Sequence, residues 1–317
     1  MLKIREFVRD HDEQLWVSIL NMVYEKSRDW RTITVEEHFK DRSGLNLFFD
    51  QRWIAELNGR PAGIIHALIP SGQSKKIGYI EDLGVVPQLV GLDVEEKLVK
   101  LATDELKQQH VETILVPRLR WSARSREGRI MFLETLGFSL IRQTSLMEMN
   151  LAKVSSSVTC NQDVTIKPLQ ENAKRDIQQL HWLRNQCSKG QFNYRPTSIQ
   201  ETQNFLQNNP FSWLRVFFAV SNDDSVGFLV LAIDEKYNIE RNVKAGIILA
   251  IGVLENHRQL GIGTRLMLHG LKILQDQMMT TALLDVDDFN QTGAKSLYEN
   301  IGFEVVEKYL TYERSCS

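Results

Sequence analysis

The chain has 317 residues, of which 43% are hydrophobic and 25% are charged, so its composition predicts a folded protein with two domains. A formal net charge of −2 without a long basic run argues against a nucleic-acid-binding protein. No apolar stretch reaches the roughly 18–20 residues that a membrane helix needs, so we expect no membrane partner.

Cysteine usage and the first residues indicate the compartment. The three cysteines, Cys160, Cys187 and Cys316, have neither the spacing of a metal site nor an obvious pairing. Residues 1–6 do not have the pattern of a signal peptide. We therefore expect a cytoplasmic protein without a metal ion, and the sequence leaves both a monomer and a homodimer open.

In chain order, the first half begins with a strand at residues 2–7 and a helical pattern over residues 15–23. A hairpin of strands at 53–57 and 62–67 follows. The remaining elements of this half are a strand at 77–85, a helix to about residue 109, a strand at 113–116, and a helix that ends in Gly137-Phe138 followed by further strand pattern.

The same order of elements recurs after a polar, serine-rich linker at residues 153–159. Hydrophobic periodicity therefore predicts an α+β fold with mixed central sheets flanked by helices, as one domain over residues 1–152 and another over 163–317. The elements of the second half are a strand at 164–169, a helix around 177–183, strands at 216–220, 226–230 and 246–253, a helix to about 279, a strand at 282–286, and a helix that ends in Gly302-Phe303 with strand pattern after it.

A loop in the second half has the residue types of an anion-binding site. Between the strand that ends at Val253 and the long helix, the chain reads Arg258-x-x-Gly261-x-Gly263. Glycine lets a backbone approach an anion closely, and the first N–H groups of a helix have no intrahelical partner. With the helix dipole they favour bound phosphate. Taken alone, such a loop is also compatible with a simple tight turn.

A second motif follows at residues 290–303, where the chain reads Asn-x-x-x-Ala-x-x-Leu-Tyr-x-x-x-Gly-Phe. The two motifs at this separation resemble the GCN5-related N-acetyltransferase (GNAT) superfamily, and the resemblance covers roughly residues 164–314. It implies that the second domain takes acetyl-CoA as co-substrate and transfers the acyl group to a primary amine of a small molecule or a peptide.

The resemblance also implies where the coenzyme binds. The strand end formed by Ile251, Gly252 and Val253 would hold the pantetheine arm through backbone groups. Arg258 and the backbone of the six residues after it would hold the diphosphate; these six are Gln259, Leu260, Gly261, Ile262, Gly263 and Thr264.

Three further residues receive roles from the same resemblance. Asn290 and Ser296 would line the pantetheine side. Tyr298 would act as the general acid toward the leaving thiolate, because a phenol has an ordinary pKa close to that of a thiol. The alternative for Tyr298 is a packing role on the sheet, which its spacing with Leu297 and Ile301 also allows.

The first half departs from this pattern at the positions that would bind the coenzyme. It can be aligned without a gap, with Val90 at the position of Arg258, Asp93 at that of Gly261, and Glu95 at that of Gly263. Two carboxylates in a diphosphate site repel the ligand.

Counting back from the closing Gly-Phe pair places Leu133 where the second half has its tyrosine, and Ser125 where it has its asparagine. We therefore expect the first domain to keep a GNAT-like fold in a structural role without binding acyl-CoA. A shifted register that uses Gly91 is the alternative.

The sequence leaves the proton acceptor open. The strand before the glycine loop has no acid at residues 247–252, whereas the first half has Glu81 and Asp82 there. Catalysis through ordered water is equally compatible. The candidate acids of the second half, each of which could also be a solvated turn residue, are Asp234, Glu235, Asp285 and Asp287.

Aromatic residues could line an acceptor site, although at these spacings they more often pack in a core. The candidates are Trp182, Tyr194 and Trp213, and we expect Cys187 to be an inert packing residue. The function predicted from the sequence is an acyl-CoA-dependent N-acyltransferase. The alternative is a regulatory module that binds acyl-CoA without turnover.

Overall fold

The computed structural model describes residues 1–41, 47–72, 76–91, 93–119, 132–154, 164–170, 173–192 and 194–316. The chain forms two compact units. Unit 1 comprises Met1–Thr144 and Tyr309–Ser317, and unit 2 comprises Ser145–Lys308. The predicted α+β class with helices flanking mixed sheets is confirmed in both units.

Unit 1 has the sheet order β1-β2-β3-β4-β5-β12, in which only the β4–β5 pair is parallel. Its main apolar cluster packs α3 against the sheet. The elements are β1 (Leu2–Glu6), α1 (Glu13–Tyr24), α2 (Val35–Asp41), β2 (Leu47–Leu57), β3 (Arg60–Pro70), β4 (Ile77–Val85), α3 (Val94–Gln108), β5 (Thr113–Leu119) and the end of β12 (Glu304–Ser315).

Unit 2 has the sheet order β6-β11-β10-β9-β8-β7, and its β10–β11 pair is parallel. A helix of 7 residues, Glu235–Arg241, was not predicted from the sequence, because it is too short for a periodic apolar stripe. The elements are the end of β6 (Ser139–Asn150), β7 (Thr165–Pro168), α4 (Lys174–Ser188), α5 (Ile199–Gln207), β8 (Trp213–Ser221), β9 (Asp224–Ile233), α6 (Glu235–Arg241), β10 (Ala245–Val253), α7 (Ile262–Asp276), β11 (Thr281–Asp287) and α8 (Ala294–Ile301).

The long helix α7 buries one stripe of side chains, as its apolar spacing predicts. Leu266, Leu271 and Leu274 are fully buried against the sheet of unit 2. Gly270 lies in the same stripe, where an added Cβ would come 2.7 Å from a methyl of Leu229. The helix therefore approaches the sheet closely and directs its N-terminus to the end of β10.

The last strand of each half of the sequence completes the other unit. Met147 and Met149 of β6 are buried in the core of unit 2, and Leu310 and Tyr312 of β12 are buried in the core of unit 1. The compact units thus differ from the division at 1–152 and 163–317 that the sequence indicated. The physical reason is that periodicity shows which residues of a strand are buried but not which sheet the strand joins.

Among the described residues, no helix combines the length and the apolar character that crossing a bilayer requires. In those same ranges, no group of three or more His, Cys, Asp or Glu side chains is arranged to hold a metal ion.

The exchange of closing strands predicts how fragments behave. A fragment of residues 163–317 lacks the part of β6 that contributes Met147 and Met149 to the core of unit 2. We therefore expect this fragment to aggregate or to melt without a cooperative transition. A fragment of residues 139–317 restores those side chains and should recover a cooperative transition by circular dichroism and calorimetry. Equal stability of the two fragments would contradict this assignment of β6.

Candidate functional site

Strands β10 and β11 separate partway along their length. Their parallel pairing runs from Ala245 to Ile248, and the last pair is Ile248 with Leu284. Strand β10 nevertheless remains paired with β9 as far as Val253, with an irregularity that leaves Leu249 as an extra residue. A bulge of this kind bends a strand. The second half of β10 therefore has one edge that is not covered by β11.

Backbone groups of β10 point into this opening. The N–H of Leu254 donates to the carbonyl of Val226 on β9 at 2.9 Å. Successive residues of a strand alternate in the direction of their backbone groups, so those of Ile251 and Val253 point away from β9. Ile251 and Val253 are two of the three strand-end residues predicted to hold the pantetheine arm, and that role stays a prediction.

Gly252 lies between them and has a packing role. A Cβ at this position would come 2.5 Å from the ring of Phe228 and 2.8 Å from the Cβ of Cys187. Helix α4 therefore touches the strand here, and the absence of a side chain permits the contact. Cys187 is 7% exposed, and burial raises the pKa of its thiol to about 11. This agrees with the inert packing role expected for it.

The glycine loop turns sharply before α7. Gln259 has φ of 61° and Gly261 has φ of 83°, so both lie in the left-handed region. The first backbone bond of the helix runs from the N–H of Arg265 to the carbonyl of Gly261 at 3.0 Å. The N–H groups of Ile262 and Gly263 come before it and have no intrahelical partner. Left-handed residues next to amides without an intrahelical partner are the backbone arrangement on which the prediction of an anion site rests.

Gly263 is a glycine that protein packing does not require. A Cβ here would lie 3.5 Å from a methyl of Leu297 and 3.9 Å from one of Val253, both ordinary contacts. Glycine inside a helix costs about 1 kcal/mol relative to alanine. The same distances show that α7, α8 and the end of β10 converge at this point, which places the loop beside the opening.

Arg258 lies at the end of the opening. Its Nε donates to the carbonyl of Val253 at 3.1 Å, so the side chain folds back onto β10. Its charge also acts on the thiol of Cys187, where it opposes the effect of burial on the pKa. No other described residue accepts a hydrogen bond from this guanidinium, which leaves the donors of its terminal nitrogens for a ligand.

Tyr298 is fixed by the way α8 ends. Gly302 has φ of 113°, and the N–H of Phe303 donates to the carbonyl of Tyr298 at 3.0 Å. This bond across the helix end is the Schellman motif, and the rings of the two aromatic residues pack 6.1 Å apart. The Gly-Phe pair of the sequence is therefore the cap that positions the tyrosine.

The tyrosine is 6% exposed, and burial raises the pKa of its phenol to about 12. It belongs to the same apolar cluster as Ile251 and Val253 of β10. The packing role and the chemical role weighed from the sequence are thus compatible, because the ring is packed and the proton is retained at neutral pH.

Two predicted pantetheine contacts have different surroundings. The Oδ1 of Asn290 accepts hydrogen bonds from the N–H and the hydroxyl of Thr292 at 2.8 and 2.6 Å, so its amide group is held in the turn before α8. Ser296 is exposed, whereas Ala294 and Leu297 face the core. The role of Ser296 stays a prediction.

The candidate acids differ in what holds them. Asp234 is 8% exposed and caps α6 by accepting from the N–H of Tyr237 at 3.0 Å. Asp287 accepts from the N–H of Phe289 at 2.9 Å in the turn after β11. Glu235 is an exposed residue of the first turn of α6. Two of the four acids thus have local structural roles.

Asp285 is placed differently. It lies one residue beyond the last pair of β10 with β11. Its neighbours Leu284 and Val286 pack in the cluster that contains Tyr298, and Asp285 itself is exposed. Because successive side chains of a strand alternate, Asp285 points to the opposite face of the sheet, where α4 contacts Gly252.

The aromatic candidates are not equivalent. Trp182 is 45% exposed on α4. The hydroxyl of Tyr194 is 3.5 Å from Oδ1 of Asn185, in the segment between α4 and α5. Trp213 packs against the main core of unit 2, with Arg215 over its ring. Trp213 is therefore a partly buried packing residue, whereas Trp182 lies on α4 and Tyr194 lies between α4 and α5.

Unit 1 repeats the backbone of this site. Its strand β4, 3-10 turn, helix α3 and strand β5 have 9, 3, 15 and 7 residues, as do the corresponding elements of unit 2. The loop before α3 has Gly91 with φ of 90° and Asp93 with φ of 62°. The turn therefore persists although an aspartate stands where unit 2 has its second left-handed residue, Gly261.

The chemistry of unit 1 is different. Glu95, in the first turn of α3, is only 5% exposed. The N–H of Phe138 donates to the carbonyl of Leu133 at 3.0 Å, so an apolar side chain occupies the position of the tyrosine under the same cap. The match of Ser125 to Asn290 lies outside the described residues.

The acid pair on β4 of unit 1 is also in a distinct environment. The Oδ2 of Asp82 lies 3.4 Å from Nε2 of His38 and 3.9 Å from Nδ1 of His66. The Nε2 of His66 is in turn 2.7 Å from Oδ1 of Asp50. The corresponding part of β10 in unit 2 has no such group.

The model of the acetyltransferase (GNAT) family matches residues 15–138 and again residues 176–303. N-alpha-acetyltransferase 50 of Danio rerio is 33% identical over 95 residues, which are 30% of this chain. The match covers 54% of that relative, so this chain spans about half of its length.

Two solved structures have the same fold over nearly the whole chain. A tandem GNAT protein from the clavulanic acid biosynthesis pathway has a TM-score of 0.74 at 13% identity, covering 100% of this chain and 99% of that one. A GCN5-related N-acetyltransferase from Sphaerobacter thermophilus has a TM-score of 0.69 at 17% identity, covering 99% and 96%. The resemblance drawn from the two motifs is confirmed, and the chain belongs to the acetyltransferase (GNAT) family, with two copies of its domain in tandem.

Proposed function

We propose that unit 2 transfers the acetyl group of acetyl-CoA to a primary amine. The observation that carries this proposal is the coincidence, within one unit, of an uncovered edge of β10 with a helix N-terminus whose amides have no intrahelical partner. Diphosphate would bind the amides of the loop from Gln259 to Thr264, together with Arg258. The pantetheine arm would extend along Ile251 and Val253.

The reaction then follows from the placement of the thioester. A backbone N–H of β10 that follows the bulge and points away from β9 would stabilise the oxyanion that forms when the amine attacks the carbonyl carbon. Tyr298 would donate its proton to the departing thiolate. Holding the amine and the thioester together in one complex supplies much of the rate.

We propose that unit 1 does not bind the coenzyme. Its loop keeps the conformation of an anion site, but Asp93 and Glu95 place carboxylates where the diphosphate would lie. Leu133 offers no proton to a leaving group. Its proposed role is structural, and one acetyl-CoA per chain is the expected stoichiometry.

Gly263→Ala tests the loop with the least disturbance of the fold. The added methyl has room in the protein, so stability should be unchanged or should rise by up to about 1 kcal/mol. The methyl intrudes on the approach of the diphosphate, so affinity for acetyl-CoA should fall at least about tenfold. Calorimetric titration of wild type and variant, with thermal melts as the control, gives both quantities.

The same titration tests the proposed function directly. Wild-type protein should bind one acetyl-CoA per chain. A folded protein without affinity for acetyl-CoA, or a Gly263→Ala variant that binds as tightly as wild type, would refute the assignment of the loop.

Tyr298→Phe separates an acyltransferase from a module that only binds acetyl-CoA. The variant keeps the packing of the ring on Phe303, so acetyl-CoA affinity and stability should stay near wild type. Amine-dependent release of the coenzyme thiol should fall by about 10²–10⁴, the range typical of a lost general acid. Thiol release over a panel of primary amines measures the effect, and binding without release for any amine would favour the regulatory alternative.

We also propose that Asp285 accepts the proton of the attacking amine. Its support is its place one residue past the last β10–β11 pair, on the sheet face opposite Tyr298. Acid and base on opposite faces of the thioester suit an amine that attacks from one side while the thiolate leaves on the other.

Asp285→Asn should lower the amine-dependent rate by about 10² and make the remaining rate increase more steeply with pH, because the amine must then lose its proton in solution. Asp287→Asn is the matched control, since its side chain keeps an oxygen for the N–H of Phe289. Equal rates for the two variants would contradict the role of Asp285 and would favour ordered water as the proton acceptor.

A further inference from the structure

Arg184 of α4 is a partly buried cation beside the proposed site. Its guanidinium stacks on the ring of Phe205 of α5, with 4.7 Å between its Cζ and the ring centroid. Phe205 packs against an apolar cluster that also receives Leu249, the bulge residue of β10, and contains Cys187. Arg184 therefore belongs to the layer that covers the bulge on the face opposite Tyr298.

Arg184 lies close to the uncovered part of β10, because Cys187, one helical turn further along α4, contacts that strand. Arg184 and Cys187 are three residues apart on α4, so their Cβ atoms are about 5–6 Å from each other. The Cβ of Cys187 lies 2.8 Å from the position that a Cβ of Gly252 would take. The stem of Arg184 thus begins about one helical turn from the part of β10 that would flank the thioester.

No carboxylate of the described residues pairs with Arg184. The acid whose charge acts on it is Glu201, and both oxygens of that side chain are used elsewhere. Oε1 accepts from Nη2 of Arg195 at 2.7 Å, and Oε2 accepts from the N–H of Ser198 at 2.6 Å. Burial lowers the pKa of Arg184, and the charge of Glu201 opposes this effect. A guanidinium nevertheless stays protonated in a protein.

Such a cation is costly to keep without an anion, since burial removes water from its charge. Stacking on Phe205 compensates only part of this cost, because a cation–π contact does not neutralise the charge. The stack has a second effect. It covers one face of the guanidinium and leaves the N–H groups along its edge, whose arrangement matches a carboxylate.

The surrounding helices hold this arrangement in place. The side chain of Asn185, next to Arg184, bonds both the N–H and the carbonyl of Thr197 at 2.8 and 3.0 Å. His181 of the preceding turn lies 3.3 Å from the hydroxyl of the buried Thr202 on α5. These contacts tie α4 to α5 and to the segment just before it, so the two helices that carry Arg184 and Phe205 are held together.

We infer that Arg184 binds a carboxylate of the acceptor, which makes the substrate of unit 2 a small amine that also carries a carboxylate, such as an amino acid or a dipeptide. The inference rests on the proposed function for the identity of the amine. The acceptor then bridges the two helices and the sheet, with its carboxylate at Arg184 and its amine at the thioester.

The test uses pairs of acceptors that differ only in this group. Amino acids, ω-amino acids and dipeptides are compared with their carboxamides in the full-length chain, by release of the coenzyme thiol from acetyl-CoA. The acid of at least one pair should be preferred in kcat/KM by about 10–100-fold, the range expected for hydrogen bonds to a charged group. Arg184→Met should remove this preference by raising KM for the acid while leaving the carboxamide unchanged.

Two further variants keep the test decisive. Arg184→Lys retains the charge and loses the planar edge of the guanidinium. Its preference for the acid over the carboxamide should therefore lie between those of wild type and Arg184→Met, and this variant still tests the inference if Arg184→Met folds poorly. Arg175→Gln removes an exposed cation at the other end of α4 and should leave the preference intact. Equal use of acid and carboxamide by wild type, or an unchanged preference in both Arg184 variants, would overturn the inference.

Calorimetry distinguishes a failure of this inference from a failure of the proposed function. The same compounds are titrated into protein saturated with acetyl-CoA. If no amine is acetylated but an acid binds in an Arg184-dependent manner, the result supports the carboxylate site and refutes the proposed acetyl transfer. If no acid binds and none is acetylated, the inference is refuted, while affinity for acetyl-CoA still reports separately on the glycine loop.

Discussion

Beyond the pair of Ile248 with Leu284, β10 stays hydrogen-bonded to β9 and leaves β11, and every proposed contact of unit 2 depends on this separation. A bulge at Leu249 allows it, because one extra residue bends the strand without breaking its ladder to β9. The uncovered edge supplies backbone groups that lie in the plane of the sheet. It also separates the two faces, so that Tyr298 approaches from one and α4 from the other.

The two units show how one backbone serves two chemistries. The left-handed turn, the helix of 15 residues and the cap around a Gly-Phe pair are present in both. In unit 2 the space at Gly263 is open and a tyrosine lies under the cap. In unit 1 Glu95 and Leu133 take those places. Leu133 and Tyr298 each pack in the apolar core of their own unit, so the fold accommodates either side chain under the cap.

Because β6 belongs to unit 2, the first half of the sequence supports the proposed site in the second half. Met149 of β6 packs near Gly302, where a Cβ would lie 3.5 Å from its methyl, so a residue of the first half supports the helix cap that positions Tyr298. The hydroxyl of Ser145 likewise donates to Oδ1 of Asp288, just after β11, at 2.6 Å. The first half of the sequence therefore contributes structure to the proposed site even though its own loop carries carboxylates.

The amino-acid sequence by itself determined the α+β class, the repeat of elements, the glycine loop and the cap motif, because each depends on neighbours within a few turns or strand residues. Periodicity located α7, and the Gly-Phe pair located Tyr298. Tertiary structure decided which unit receives β6 and β12, that Gln259 is left-handed, and that Asp285 and Arg184 lie on the face opposite Tyr298. Those features depend on strand pairing and helix packing between residues distant in sequence, and residue type does not encode them locally.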